Sequence, residues 1–284
     1  MTTARVICDS VSQRGARLTT LEVTFHRFVL AEFNTHRVFS RNSASSRAIP
    51  ATKNIERLLH AGPAFPVTWP AEQRGMQGGE ELDADTRADA QAEWEAAMHD
   101  AIYHARKLLS LGVHKSVTNR LLEPFLNHTA IVSSTEWDNF FKQRCSPLAQ
   151  PEIRVAAESM RDALNASTPV LVEYGSWHLP YVEEGDLTAC LAQFVDPRHV
   201  SAARCARVSY LTQDGRRDVL EDEKLYQRLA TADPIHSSPF EHVATPLVDD
   251  KTVLGNFDGW AQLRHYHPHR SERHLVYTKV TTDG

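Results

Sequence analysis

The segment 35–47, Thr-His-Arg-Val-Phe-Ser-Arg-Asn-Ser-Ala-Ser-Ser-Arg, carries the densest set of side chains suited to binding a ligand. It places three arginines and a histidine among hydroxyl and amide groups. Arginine forks hold phosphate or carboxylate through two hydrogen bonds, and short hydroxyl and amide groups complete the contacts to a polar ring. A solvated turn rarely needs three arginines so closely spaced. The segment therefore predicts a site for a small anionic ligand.

A second group of polar side chains lies in Ile-His-Ser-Ser-Pro-Phe-Glu-His at 235–242. A proline-fixed turn holds two imidazoles, two hydroxyls and a carboxylate together there. The same pattern is also typical of a helix N-terminus in which Ser238 is the cap and Glu241 completes a capping box. The two interpretations are compatible, and the sequence does not choose between them.

Two predicted helices carry further arginines. Arg204 and Arg207 are three residues apart and share a helical face within 202–210. In 150–154, the proline at 151 suits the first helical position and the following glutamate suits the positive end of the helix. Arg154 then lies one turn into that helix, where it can point at an anion.

The composition limits the classes of protein. Of the 31 basic residues 24 are arginine, which fits an anionic ligand or a GC-rich coding sequence, and the net charge of −5 excludes a broad basic face for duplex nucleic acid. The 42% hydrophobic content excludes wholesale disorder, and no apolar run approaches the roughly 20 residues of a membrane helix. The four cysteines (Cys8, Cys145, Cys190, Cys205) form no C-x-x-C pair. We expect a soluble, cytoplasmic protein.

Periodicity predicts the elements that position these groups. Residues 4–10 and 18–25 alternate as strands, and 34–48 has a loop composition. Residues 62–82 are an irregular excursion rich in proline and glycine. A long helix should cover 85–111 and end at Gly112. Its apolar stripe, which predicts core packing, consists of Trp94, Met98, Ile102, Ala105 and Leu109.

The rest of the chain predicts further helices at 114–122, 135–144, 151–165, 197–206 and 217–231, and a strand at 243–248. The amino-acid composition changes at 166–187, which contains several prolines and glycines, and this stretch separates two halves of the chain. The expected fold class is mixed α/β, with a sheet flanked by helices. We expect one catalytic domain over 1–284, whose halves cover about 1–165 and 188–284.

The segment 35–47 resembles the signature R-H-R-x-x-S-x-N-E-x-S-x-R of flavin-dependent thymidylate synthases, the ThyX family. The matching positions are His36, Arg37, Ser40, Asn42, Ser45 and Arg47. The preceding Val-Thr-Phe-His at 23–26, Ala-Arg-Val-Ser at 206–209, Ser-Pro-Phe-Glu-His at 238–242 and the helix from Gln150 are similar to further family motifs. In ordinary members the segments like 206–209 and 238–242 precede the signature, whereas here they follow it. The chain thus resembles a circularly permuted member, in which 259–265 is similar to the helix before the signature.

The resemblance implies roles for individual residues. Those expected to bind flavin are His36, Arg37, Asn42, Arg144, Ser209, His236, Ser238 and Glu241. Those expected to bind the substrate dUMP are Glu32, Ser43, Ser45, Arg47, Gln150 and Arg154, of which Ser45, Arg47 and Arg154 would be catalytic. The family uses FAD, NADPH and methylenetetrahydrofolate, forms homotetramers with sites between subunits, and needs no cysteine nucleophile.

Three departures from the family pattern keep alternative functions open. Thr35 replaces the first signature arginine, Ser43 replaces the acidic residue after Asn42, and Glu32 stands where a glutamine is usual. The function implied is thymidylate synthesis from dUMP. The alternatives are a related enzyme that makes a hydroxymethyl or other modified pyrimidine, a non-catalytic subunit, and a protein that binds nucleotides or single-stranded nucleic acid.

A histidine-rich tail remains unassigned. Four histidines (His265, His267, His269 and His274) lie within ten residues. Alternating imidazoles suit zinc, but Pro268 interrupts the pattern and neighbouring arginines repel a cation. We expect no metal there, and a solvated edge or a contact with nucleotide or subunit instead.

Overall fold

The computed structural model describes residues 2–208, 217–249, 252–253, 255–267 and 277–278. Ser209, His269 and His274, which the sequence singled out, lie outside these residues. Within them no helix is long and apolar enough to cross a membrane.

A five-stranded sheet forms the centre of the fold. Its strands are β1 (Thr3–Ser12), β2 (Arg17–His26), β3 (Ser40–Ser43), β4 (Asn127–Ser134) and β5 (Val170–Val172). Their order is β3-β4-β2-β1-β5, and only the pairing of β1 with β5 is parallel. The two predicted N-terminal strands are confirmed. They form a hairpin whose turn contains Gly15 at φ 82°, a left-handed conformation that favours glycine.

Strand β3 corrects one expectation, because 34–48 was predicted to be a loop. Its residues Ser-Arg-Asn-Ser have little intrinsic preference for a strand. Pairing with β4 over four residues overrides that preference and makes β3 an edge of the sheet. Since side chains alternate along a strand, Ser40 and Asn42 share one face and Arg41 and Ser43 share the other.

Nine α-helices are described. They are α1 (Leu30–Asn34), α2 (Ala51–Ala61), α3 (Ala84–Ser110), α4 (Lys115–Thr118), α5 (Asp138–Arg144), α6 (Pro151–Asn165), α7 (Glu184–Gln193), α8 (Pro197–Arg207) and α9 (Val219–Ala230). The predictions for α3, α5, α6, α8 and α9 are confirmed within a few residues, and 114–122 divides into α4 and a 3-10 turn. Helices α2 and α7 were not predicted. Gly112 follows α3 with φ 77°, as expected of a glycine after a helix end.

The two faces of the sheet carry different layers. On one face, Leu21, Val23 and Val132 pack against α6 through Ile153 and Met160. These side chains are almost completely buried, and they belong to the largest apolar cluster within the described residues. The predicted stripe of α3 packs in a separate cluster with α2.

The opposite face receives the second half of the chain. Ile131 of β4 packs against Cys205 and Val208 at the end of α8. The short strands β6 (Ala244–Pro246) and β8 (Trp260–Gln262) pair with each other beside this face, and β7 (Thr252–Val253) pairs with β9 (Tyr277–Thr278). The two halves are therefore packed against each other through the sheet.

Candidate functional site

A short charged contact joins the signature segment to α5. Arg144 donates from Nε to His36 Nε2 at 2.8 Å and from Nη2 to Thr35 Oγ1 at 3.1 Å. Burial, then the charges of Arg144 and Arg41, lower the pKa of His36 to about 4. A guanidinium only donates, so His36 is neutral and its proton lies on Nδ1. Two residues expected to bind flavin, 108 positions apart, thus meet.

Glu32 also contacts Arg144. Its backbone carbonyl accepts from Arg144 Nη2 at 3.4 Å, and its carboxylate oxygen Oε2 is buried with no partner within the described residues. Arg41 donates to the carbonyls of Phe33 and His36, which fixes the end of α1 against β3. Residues 32–36 are therefore held by Arg41 of β3 and Arg144 of α5.

Asn42 and Ser40 connect the edge strand to the second half. Asn42 donates from Nδ2 to the carbonyl of Cys205 at 2.7 Å. Gln262, which is fully buried, donates from Nε2 to Ser40 Oγ and to the carbonyl of Glu241, both at 2.9 Å. The sequence likened 259–265 to the helix before the signature, but 260–262 form strand β8 and 263–266 form a 3-10 turn. Gln262 nevertheless contacts the signature segment through Ser40.

The turn 238–241 corrects another expectation. It is a 3-10 turn whose cap position is Ser237, with no side-chain cap hydrogen bond, so the predicted capping box is wrong. Glu241 instead forms an ion pair with Arg264. The side chains of His236 and Ser238 are exposed.

A buried row of hydroxyls and imidazoles crosses the sheet under these segments, and sequence reasoning missed it. His178 bonds Ser10 Oγ through Nδ1 and Thr20 Oγ1 through Nε2, each at 2.8 Å. Thr20 continues to Ser133 Oγ at 2.6 Å, and Ser133 to His242 Nδ1 at 2.8 Å. Burial lowers the pKa of both histidines to about 3. The row ties strands β1, β2 and β4 to the second half of the chain.

The residues expected to bind dUMP are more scattered. Ser45 and Arg47 are exposed, and the Arg47 backbone donates to Ser45 Oγ at 3.3 Å. Arg154 Nε lies 4.0 Å from Glu158 Oε1. In the described part of the chain, no hydrogen bond joins Arg154 to the signature segment. Gln150 donates to Glu152, which is buried and also accepts from a backbone amide at 67.

A small cavity opens beside Ser45. Its volume is about 60 Å³. Charged and polar side chains line much of it: Arg27, Ser45, Ser46, Asn54, Arg57, Asn119, Glu123, His128 and Thr129. Arg27 donates to His128 Nδ1 at 2.7 Å and to Glu123 and Ser46 at 3.0 Å. None of these residues except Ser45 was assigned from the sequence.

The arginines of α8 are held by carboxylates. Arg204 donates to both oxygens of Asp186 at 2.7 and 2.9 Å and to Asp222 at 2.9 Å. Arg207 lies 2.8 Å from Asp222, and Arg217 contacts Asp186 at 2.7 Å. The shared helical face predicted for Arg204 and Arg207 is confirmed, and its partners lie within the chain.

All four cysteines are protonated at neutral pH. Burial raises the pKa of each thiol, most strongly for Cys205, which is completely buried. None lies in a group of residues able to hold a metal ion, and the described residues contain no such group. These thiols are therefore poor nucleophiles.

The sequence matches the family model Thy1, described as thymidylate synthase complementing protein, over residues 17–170. This match covers more than half of the 284 residues. The chain belongs to the Thy1 family. The match includes the signature segment and α6, whereas 206–209 and 238–242 lie outside it. No curated protein matches the sequence.

Two solved structures are similar to part of this chain. The UMP/dUMP methylase PolB from Streptomyces cacaoi, bound with 5-Br UMP, is 14% identical, with a TM-score of 0.46 over 58% of this chain and 88% of that chain. Thymidylate Synthase X from Helicobacter pylori, with FAD and dUMP, is 19% identical, with a TM-score of 0.35 over 52% of this chain and 67% of that chain. The family assignment depends on the sequence match alone.

Proposed function

We propose that this Thy1 protein is a flavin-dependent enzyme that adds a one-carbon group at C5 of dUMP. The reaction favoured is methylation to dTMP, with FAD as cofactor, NADPH as reductant and methylenetetrahydrofolate as donor. The observation that carries the proposal is the family match over 17–170, which contains the signature segment. The contact of His36 with Arg144 supports it, because it joins two segments expected to bind the flavin.

The residues around Glu241 fit a polar cofactor. Gln262 Oε1 and Arg264 Nε are buried and lack hydrogen-bond partners within the described residues. Both belong to side chains that contact Glu241, a residue proposed to bind flavin. Buried polar atoms are normally satisfied, so an acceptor and a donor are available here for a ligand. The exposed His236, Ser238 and Arg37 would complete the flavin contacts.

The protein would supply binding and electrostatics. Bound FAD supplies the hydride chemistry, and carbon addition at C5 places negative charge on the ring oxygens of uracil. Guanidinium groups suit that charge, and we assign Arg47 and Arg154 with Ser45 to the nucleotide. The side chains of Arg37 and Arg47 form no hydrogen bond or ion pair within the described residues, and both residues are exposed. They are available to a second copy of the chain in the proposed homotetramer.

The first experiment asks whether the purified protein holds flavin. The visible absorption spectrum should show a flavin band, either as purified or after FAD is added. A colourless protein that takes up no FAD would contradict the enzyme proposals. If flavin binds, incubation with dUMP, NADPH and methylenetetrahydrofolate followed by mass spectrometry of the nucleotide separates a methyl from a hydroxymethyl product.

The second experiment tests the division of roles. Arg47→Ala should abolish dUMP binding and leave FAD bound, because Arg47 is assigned to the nucleotide. Arg87→Ala, which removes an exposed arginine from α3, is the matched control and should bind both. Loss of FAD with retention of dUMP in the Arg47 variant would show that the roles are assigned wrongly. Calorimetric titration measures the two affinities.

A further inference from the structure

His128 lines the cavity beside Ser45, and its ring carries a buried nitrogen that has no hydrogen-bond partner within the described residues. Arg27 donates to His128 Nδ1 at 2.7 Å, so Nδ1 is the acceptor of this bond. Burial, then the charge of Arg27, lowers the pKa of His128 to about 4, and the ring is neutral at pH 7. Its proton therefore lies on Nε2. This atom is buried and has no partner within the described residues.

Arg57 of α2 also lines this cavity, and no carboxylate of the described residues pairs with it. The residue is exposed, and its side chain forms no ion pair or hydrogen bond in the described part of the chain. The other two charges of the lining, Arg27 and Glu123, neutralise each other at 3.0 Å. Glu123 also accepts from Ser46 and Arg120. The lining therefore has one positive charge in excess.

Ser45 adds a third donor at the mouth. Its Oγ accepts the backbone amide of Arg47 at 3.3 Å, which leaves the hydroxyl proton to be donated. Donors thus come from α2, β4 and the signature segment, three separate parts of the chain. A cavity of about 60 Å³ has the volume of about two water molecules, which is comparable to one tetrahedral oxyanion.

We propose that this cavity binds a phosphate group through Arg57, His128 Nε2 and Ser45. A tetrahedral oxyanion suits the cavity better than a planar carboxylate because its oxygens accept from several directions. The identification of this group as the 5′-phosphate of a nucleotide rests on the proposed function. Free inorganic phosphate has the same chemistry, so the test separates the two sources.

The test uses the full chain and three probes: dUMP, deoxyuridine and inorganic phosphate, each titrated by calorimetry. Arg57→Gln should weaken dUMP binding by at least about tenfold, because a charge-assisted hydrogen bond is lost, and leave deoxyuridine binding unchanged. Lys53→Gln is the matched control. It removes one positive charge from the same helix at an exposed position outside the cavity, and dUMP affinity should change less than about twofold.

A second measurement observes the cavity directly. The Nε2 proton of His128, followed by nuclear magnetic resonance in ¹⁵N-histidine protein, should shift when phosphate or dUMP is added to the wild type. The shift should require a higher concentration in Arg57→Gln. An unshifted resonance at saturating dUMP would overturn the proposal even if a variant folded poorly.

The outcomes separate this inference from the proposed function. If dUMP binds and Arg57→Gln leaves its affinity unchanged, the cavity proposal is wrong and the enzyme proposal stands. If inorganic phosphate binds in an Arg57-dependent way and dUMP does not bind, the phosphate site stands and the nucleotide function fails. If neither phosphate nor dUMP affects His128, the cavity is not a phosphate site.

Discussion

The arginines of α8 and those of the cavity beside Ser45 have similar chemistry but opposite surroundings. Arg204, with a side chain 7% exposed, is held by Asp186 and Asp222, and its guanidinium also donates to a backbone carbonyl at 2.8 Å. Arg57 has no such partner within the described residues. An arginine that the chain itself neutralises is structural, whereas one facing a cavity with an unsatisfied donor beside it is available to a ligand. The two regions therefore differ in whether a carboxylate of the chain lies beside the arginine.

The largest expected effect is on the α8 network. Arg204→Ala leaves Asp186 and Asp222 buried without their main partner, and we expect the free energy of unfolding to fall by about 3–5 kcal/mol. Urea denaturation measures this loss. Arg161→Ala, at an exposed pair with Asp162, is the control and should unfold at the wild-type urea concentration. If Arg204→Ala also unfolds there, Arg204 does not stabilise the fold.

The second prediction uses pH, because the two regions respond in different ranges. His128 has an ordinary pKa of 6.5 when unfolded and about 4 when folded, so the unfolded state gains its proton first as the pH falls. Its contribution to stability is present above pH 6.5 and is lost between pH 6.5 and 4, with a slope of up to about 1.4 kcal/mol per pH unit. In urea denaturation across this range, His128→Gln should reduce the slope by this one contribution, because His36, His178 and His242 also have lowered pKa values and keep theirs.

Within the α8 network, Asp186 should respond only at lower pH, whereas burial raises the pKa of Asp222. Burial raises the pKa of Asp186, but hydrogen bonds from Arg204 and a backbone amide outweigh this and lower it below 3.8. Stability from this carboxylate is therefore present above pH 3.8 and is lost as the pH falls through its lower folded value. Unfolding measured from pH 7 to 4.5 in Asp186→Asn should show the wild-type slope. A change of slope in that range would contradict the expectation that His128 and Asp186 respond in different pH ranges.

The smallest effect is expected from Arg57→Gln on stability. No carboxylate holds Arg57 in the described part of the chain, so its removal should change the free energy of unfolding by less than about 0.5 kcal/mol. Urea denaturation in phosphate-free buffer is the measurement. Added phosphate should then stabilise the wild type more than the variant, since binding stabilises the folded state. A large loss of unfolding free energy in phosphate-free buffer would show that Arg57 stabilises the fold, as Arg204 does.

Sequence reasoning succeeded where a local pattern was sufficient. Proline at the first position of α6 and glycine after α3 fixed those boundaries to within one residue. Helix α2 was missed although Ile55 and Leu58 give it an apolar face. Helix α7 was missed because it follows a proline- and glycine-rich stretch, while Glu183 and Asp186 form the capping box that marks its start.

The candidate site was predicted less completely, since its contacts join distant residues. The signature segment was found, and His36 and Arg144 do meet. The buried row through His178 and His242 was not found, because Ser10, Thr20 and Ser133 look like ordinary polar positions of strands. Their partners lie up to 168 residues away. The flavin and nucleotide roles of the named residues stay predictions.

The sequence by itself determined the periods of the strands and helices, the concentration of arginine in the signature segment and the membership of the Thy1 family. The sequence was sufficient for these features because each depends on patterns of residues along the chain and not on contacts between distant segments. Only the tertiary structure decided which arginines are neutralised, since Arg27 meets Glu123 across 96 residues and Arg204 meets Asp186 across 18. Whether a cation is structural or free for a ligand depends on the charge that packing places beside it.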